Sequence, residues 1–208
     1  MTIINISAAK ALEVIPFQST EVTRFYLNGF AVESNPKGGV TLVATDGLTL
    51  LASHDPTGAT DGESTIVFLS KSTQALIKNA IKSNTNKDTP VYLTIDTKAR
   101  SLTCRALYAE NEFGPIIAST MSPDLIVEGT FPEWRRVIPR EPAIPFSHLA
   151  VNPGLVARFS TLGKFIMLKT SDAEGRAPFR VYVHGRDDLF GAVMPGRRND
   201  VNDFPDWI

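Results

Sequence analysis

The sequence predicts an α+β fold, in which antiparallel sheets carry helices on one face. Two observations point there. One pattern, a strand followed by a helix and then several strands, recurs three times along the 208 residues. Hydrophobic residues at 43% and charged residues at 21% give the balance of a globular chain able to bury a sizeable core. Strands in close succession, joined by turns, favour antiparallel pairing, with helices segregated to one side.

The first unit runs from Thr2 to about His54. Thr2–Ile6 alternates apolar and polar residues, as a half-buried strand does. Ser7 is placed to cap a short helix over Ala8–Ile15, which Pro16 ends. Phe25–Val32 and Val40–Ala44 read as strands around the turn Asn35-Pro36-Lys37-Gly38-Gly39, and Leu48–Ser53 as another after Asp46-Gly47. In the second unit Thr65–Leu69 is a β-rich run. Ser70 caps a helix over Lys71–Lys82, and Val91–Asp96, Ser101–Leu107, Ile116–Thr120 and Leu125–Glu128 follow as strands. The third unit opens near Phe146–Val151. Asn152-Pro153 starts a helix that ends near Leu162 before Gly163, and Phe165–Lys169, Phe179–His184 and Leu189–Met194 are strands. The Pro-rich stretch Pro139–Pro145 is the linker between the second and third units.

Catalysis finds little support. His54, His148 and His184 lack metal-ligand spacing, no glycine-rich phosphate loop follows a strand, and Asp46-Gly47 is first of all a turn signal. No cofactor is expected. Cys104 is the only cysteine, so no intrachain disulfide can form, and its mid-strand setting reads as a buried thiol. No apolar run reaches the roughly 18 residues of a membrane span. The N-terminal Met1-Thr2-Ile3-Ile4-Asn5 has no signal-peptide character, so a cytoplasmic location and no membrane contact are expected.

The helix Lys71–Lys82 is the informative segment. At about 100° per residue, Lys71, Gln74, Lys78 and Lys82 share one stripe, while Thr73, Leu76, Ile77 and Ala80 face the other way. No acidic residue lies on it. Lys10 on the first helix, and Arg158 and Lys164 in or after the third, add to a basic helical face. On a chain of net charge −1, such segregation suits sequence-independent phosphate contact.

Particular segments add a resemblance. Thr23-Arg24-Phe25-Tyr26-Leu27-Asn28-Gly29 and Leu42-Val43-Ala44-Thr45-Asp46-Gly47 resemble the middle domain of the bacterial DNA polymerase III beta subunit, the sliding clamp. Phe131-Pro132-Glu133-Trp134-Arg135-Arg136-Val137-Ile138-Pro139 is similar to the segment closing that domain, and Val193-Met194-Pro195-Gly196-Arg197 to the family's C-terminal strand. The motifs keep the family's order over about residues 2–198. The resemblance implies a DNA clamp fold, with helices lining a channel for double-stranded DNA and sheets outside. Lys71, Lys78, Lys82 and Arg158 would meet phosphates, with Lys10, Arg24 and Lys164 as lesser contacts. It also implies an apolar pocket for short peptides of polymerases and repair proteins, at Thr45, Gly47, Leu48, Thr49, Leu50, Pro139, Val193, Met194, Pro195 and Arg197.

The chain departs from the family as well. Leu48-Thr49-Leu50 stands where the family carries His-Arg-Leu, which makes the pocket more apolar. Only three units are present, against two in each of the family's three domains. Residues 1–140 resemble the middle domain, residues 146–198 the second half of the last, and residues 199–208 form a tail. Four copies of three units would match the family's ring, so a homo-oligomeric ring is expected, with a clamp-derived adaptor or decoy that does not encircle DNA as the alternative. Phe204, Trp207 and Ile208 in the tail are expected to dock into an apolar groove, the chain's own or a neighbour's, or to pack along an exposed sheet edge.

Overall fold

The computed structural model describes residues 2–86, 88–109, 112–145 and 149–196. Strand β1 (Ile3–Ser7) runs straight into helix α1 (Ala8–Val14), which buries Ala8, Ala11 and Val14 along one stripe. Ser7 does not cap α1 with its side chain. Its backbone N–H is instead taken by the buried Asp55 carboxylate at 2.7 Å. Pro16 ends the helix in a 3-10 turn, Ile15–Phe17. The expected strand over Phe25–Val32 begins only at Phe30. Residues Phe25–Leu27 form a 3-10 turn, because the N–H groups of Leu27 and Asn28 find local acceptors in the carbonyls of Arg24 and Phe25.

Strands β2 (Phe30–Ser34), β3 (Val40–Thr45) and β4 (Thr49–Asp55) follow as an antiparallel meander. After the two-residue β5 (Ala59–Thr60) and β6 (Thr65–Val67) comes helix α2 (Lys71–Ser83). Here the cap holds as expected, with Ser70 Oγ accepting from the Thr73 N–H. Strands β7 (Val91–Asp96), β8 (Ser101–Ala109), β9 (Glu112–Met121) and β10 (Ile126–Val127) complete the second unit. Cys104 is fully buried in β8, and burial pushes its thiol up to about 11.

In the third unit Asn152 caps a short α3 (Pro153–Ala157), prolonged as a 3-10 turn over Arg158–Thr161. Strands β11 (Ile166–Lys169), β12 (Phe179–Val183) and β13 (Leu189–Val193) follow. Of the strand expected over Phe146–Val151, residues 146–148 lie outside the described residues, and residues 149–151 are irregular.

The units are not self-contained. The lead strand β1 joins the second unit's strands in a sheet ordered β5-β1-β7-β8-β9. The lead strand β6 of the second unit joins the first unit's meander, and the third unit extends it, in a sheet ordered β10-β6-β2-β3-β4-β13-β12-β11. Each ladder in both sheets is antiparallel. The helices and the inner sheet faces share one continuous core, from Ile4 and Phe30 through Ile77 and Leu93 to Phe159, Val181 and Val193. Phe17 and Phe159 meet edge to face across it, 4.8 Å between centroids. Phe159 reaches β13 because Gly191 has no Cβ, which would sit 2.4 Å from the ring. A smaller cluster, built on Leu27, Ala31, Leu50, Phe131 and Ala192, covers the opposite face of the larger sheet.

Candidate functional site

The first and third units meet along the ladder between β4 and β13, where Leu50 pairs with Ala192 and Thr49 with Val193. One residue further, the Met194 N–H donates to the Leu48 carbonyl at 2.8 Å. Leu48 follows a tight turn that Asp46 organises. Its Oδ1 accepts from the N–H groups of Leu48 (2.8 Å) and Thr49 (2.7 Å), and Gly47 supplies the left-handed backbone at φ +90°. Burial pushes the Asp46 carboxyl up, but these two N–H donors and the Arg158 guanidinium outweigh it and hold the group below its ordinary value.

This seam floors an apolar groove of about 280 Å³. Leu48, Leu50, Val193 and Met194 line it from the seam, Tyr26 and Leu27 from the 3-10 turn, and Pro132, Trp134 and Val137 from the segment after β10. Three rim side chains stay open to solvent: Leu48 at 52%, Val137 at 55% and Met194 at 36% exposure. Trp134 is held as a wall. Its Nε1–H donates to Glu33 at 3.1 Å, and the Arg135 guanidinium lies 4.2 Å over its ring while pairing with the same carboxylate at 2.6 Å. Leu48, Val137 and Met194 thus form an exposed apolar cluster around the groove.

Of the pocket residues expected from sequence, Thr45, Gly47, Leu48, Thr49, Leu50, Val193 and Met194 line this groove. Pro139 and Pro195 are half-buried and stand outside the lining, and Arg197 lies outside the described residues. Sequence reasoning missed Tyr26, Leu27, Pro132, Trp134 and Val137 as lining, although they belong to two of the motifs that carry the family resemblance.

Next to the groove, sharing Arg24 and Leu48 with it, lies a second cavity of about 570 Å³ whose lining includes Lys71, Gln74, Asp46 and Arg158. Lys71, Lys78 and Lys82 are all exposed on α2, and Lys164 is exposed before β11. Gln74 leaves the predicted polar stripe: half-buried, it donates to the Leu69 carbonyl at 2.7 Å. Lys10, Arg158 and Arg24 are engaged by carboxylates within the chain. Lys10, its side chain only 15% exposed, pairs with Asp188 at 2.5 Å. Arg158 binds Asp46 at 2.6 Å and Thr49 Oγ1 at 2.8 Å, and Arg24 pairs with Glu21 at 2.7 Å. Lys10 and Arg158 thereby join the third unit to the first, and Arg186 adds to the tie by holding both Glu13 and Asp188.

No protein-family profile matches the chain, and no curated protein does. Solved structures do. The DNA polymerase III beta subunit of Thermotoga maritima superposes with a TM-score of 0.62 at 15% identity, over 96% of this chain and 66% of that one. The fold is that of a sliding clamp. Two further clamps agree, each over 94% of this chain and 66% of its own length with a TM-score of 0.60. They are the Caulobacter crescentus beta subunit at 20% identity and a Bartonella birtlesii clamp bound to griselimycin at 18%. The chain thus spans about two thirds of the length of the clamps it matches.

Proposed function

We propose that this chain acts as a clamp-like processivity factor, holding replication or repair proteins on double-stranded DNA and catalysing no reaction. The observation that carries the reading is the apolar groove along the β4–β13 seam, with Leu48, Val137 and Met194 open on its rim. A short peptide from a polymerase or repair protein would bury apolar side chains there, each worth roughly 1.5–3 kcal/mol when fully covered. Tyr26 and Trp134 supply the rigid aromatic surface that binding sites favour.

DNA would lie along the helical face, on Lys71, Lys78 and Lys82, with Lys164 to one side. Encirclement requires several copies in a closed ring, for which four copies remain our reading. The engagement of Lys10 and Arg158 by carboxylates favours the second reading, an adaptor that binds the same peptides without surrounding DNA. Two measurements test the proposal. A fluorescent peptide of the kind carried by clamp-binding polymerases should bind the protein, and Met194→Glu should weaken it at least tenfold while the melting temperature changes little. Retention on circular but not on linear DNA, with a discrete multiple of 22.7 kDa in solution, supports the ring. Equal loss from both DNA forms leaves the adaptor.

A further inference from the structure

The tail expected to dock into a groove, residues 199–208, lies outside the described residues. Within them, the groove leads on across the larger sheet. Its lining residues Leu50 and Ala192 begin a row of cross-strand partners that continues through Arg180 in β12 to Lys169 in β11. Directly opposite residues share a face, and Phe179, Val181 and Val183 point into the main core, so Arg180 and Lys169 stand on the groove's side of the sheet. Two like charges directly opposite in a ladder repel each other. Among the described residues, neither forms an ion pair. The acids of the loop between β11 and β12 are spent elsewhere: Asp172 accepts from the N–H groups of Glu174, Arg176 and Ala177, and Glu174 pairs with Arg176. The Lys169 ammonium rests over the Tyr182 ring, 5.0 Å from its centroid. Arg180 is half-buried, and its Nε–H is closed off from solvent and donates to no acceptor. A cation with an unmet donor, held against a second cation, is a place for an anion.

We propose that Arg180 and Lys169 bind acidic side chains of the peptide whose apolar residues fill the groove, so that the partner segment is apolar with aspartate or glutamate beside it. This rests on the reading of the groove as a peptide site. Strands lie about 4.8 Å apart, which puts Arg180 about 5 Å and Lys169 about 10 Å from Ala192 along the row. An extended peptide advances about 3.3 Å per residue, so a carboxylate roughly two or three residues from the anchor over Ala192 meets both cations. The groove lining already reaches toward them through Pro178. A guanidinium takes a carboxylate with two parallel N–H donors, and the Lys169 ammonium adds a mobile donor beside it. The incoming charge also relieves the repulsion between the two cations, a gain that a purely apolar peptide does not make.

The test uses full-length protein and one fluorescein-labelled polymerase-type peptide in three forms, with aspartate, asparagine or lysine at the positions flanking its apolar residues. At low salt the native chain should bind the aspartate form at least fivefold more tightly than the asparagine form. The double variant Arg180→Gln, Lys169→Gln should lose that preference and bind the asparagine form as the native chain does, which also shows that it is folded. Arg180→Glu with Lys169→Glu should turn the preference toward the lysine form. Equal affinity of the native chain for all three forms, or a preference that survives in the double Gln variant, overturns the proposal. So does a short oligothymidylate that binds the native chain more tightly than the aspartate peptide and fails on the double Gln variant, which assigns the cations to phosphates. Met194→Glu separates the two readings. If it weakens all three forms alike and the native chain shows no preference, the groove reading stands and only this one fails. If the aspartate form needs Arg180 and Lys169 but ignores Met194→Glu, the groove reading fails and the cations stand as an acid-binding site.

Discussion

Leu48 and Leu50 are two residues apart where β4 begins and have opposite duties. Leu50 is 3% exposed and pairs with Ala192 beneath the groove, so Leu50→Ala should cost about 2–4 kcal/mol by leaving a cavity at the seam. Leu48 stands on the rim, where a polar replacement alters stability by less than about 0.5 kcal/mol. Leu48→Glu is therefore expected to keep the urea midpoint and lose at least tenfold in peptide affinity. An unchanged affinity would assign Leu48 to the surface at large. The strand alternation that marks these leucines was legible in the sequence, and so was the Asp46-Gly47 turn, because a left-handed residue after an aspartate is a local matter. Arg158 was not legible. Its partner Asp46 lies 112 positions away, and only the packing of the third unit on the first brings them together. An exposed cation and a paired one look identical in a sequence, which is also why Lys10 read as a phosphate contact.

Helix α2 was read nearly to the residue, since its capping serine, apolar stripe and length agree with one another. Thr73, Ile77 and Ala80 carry the burial of the helix, and reversing charge at Lys71, Lys78 and Lys82 leaves that burial in place. The triple Glu variant should fold normally and lose retention on DNA at low salt. For each phosphate that no longer meets a cation, the salt dependence should fall by roughly 0.9 in log–log slope. Full retention would move DNA elsewhere. The elements that sequence misjudged are short: the turn at Phe25–Leu27, where local hydrogen bonds decide, and residues 149–151, which are irregular where a strand was expected. At α1, the pairs Lys10–Asp188, Arg186–Asp188 and Arg186–Glu13 fasten the helix to the turn before β13. Hydrogen bonding from Arg186, then Lys10, holds the Asp188 carboxyl well below the usual range. A depressed carboxylate stabilises the fold above its unfolded pKa of about 3.9, and that share is lost as pH falls through the lower folded value. Asp188→Asn should thus lower stability at pH 7 and flatten its decline below about pH 4. A parallel acid limb in the variant would show that the pair contributes nothing measurable, as exposed pairs often do.

The exchange of lead strands between the first two units has a consequence for the whole molecule. Since β1 lies in the second unit's sheet and β6 in the first's, neither unit can form its sheet without the other. The repeat was legible as three successive patterns, but this exchange was not, because strand order depends on pairings far apart in sequence. The third unit is bound in by the β4–β13 ladder, the Phe17–Phe159 contact and a core continuous from Ile4 to Val193. Were residues 146–198 an independently folding domain, heating would show two steps, and the enthalpy inferred from the steepness of either would fall well short of the total. We expect instead one cooperative transition for 208 residues, with calorimetric and van 't Hoff enthalpies agreeing at roughly 140 kcal/mol near 60 °C. The seam is where cooperativity would break first, so Gly191→Val, which drives a side chain into Phe159, makes the sharper test. If the seam couples the units, this variant melts earlier yet still in one step. If the third unit folds by itself, the same change leaves a separate high-temperature transition for the first two units, and the continuous core would then be contact without coupling.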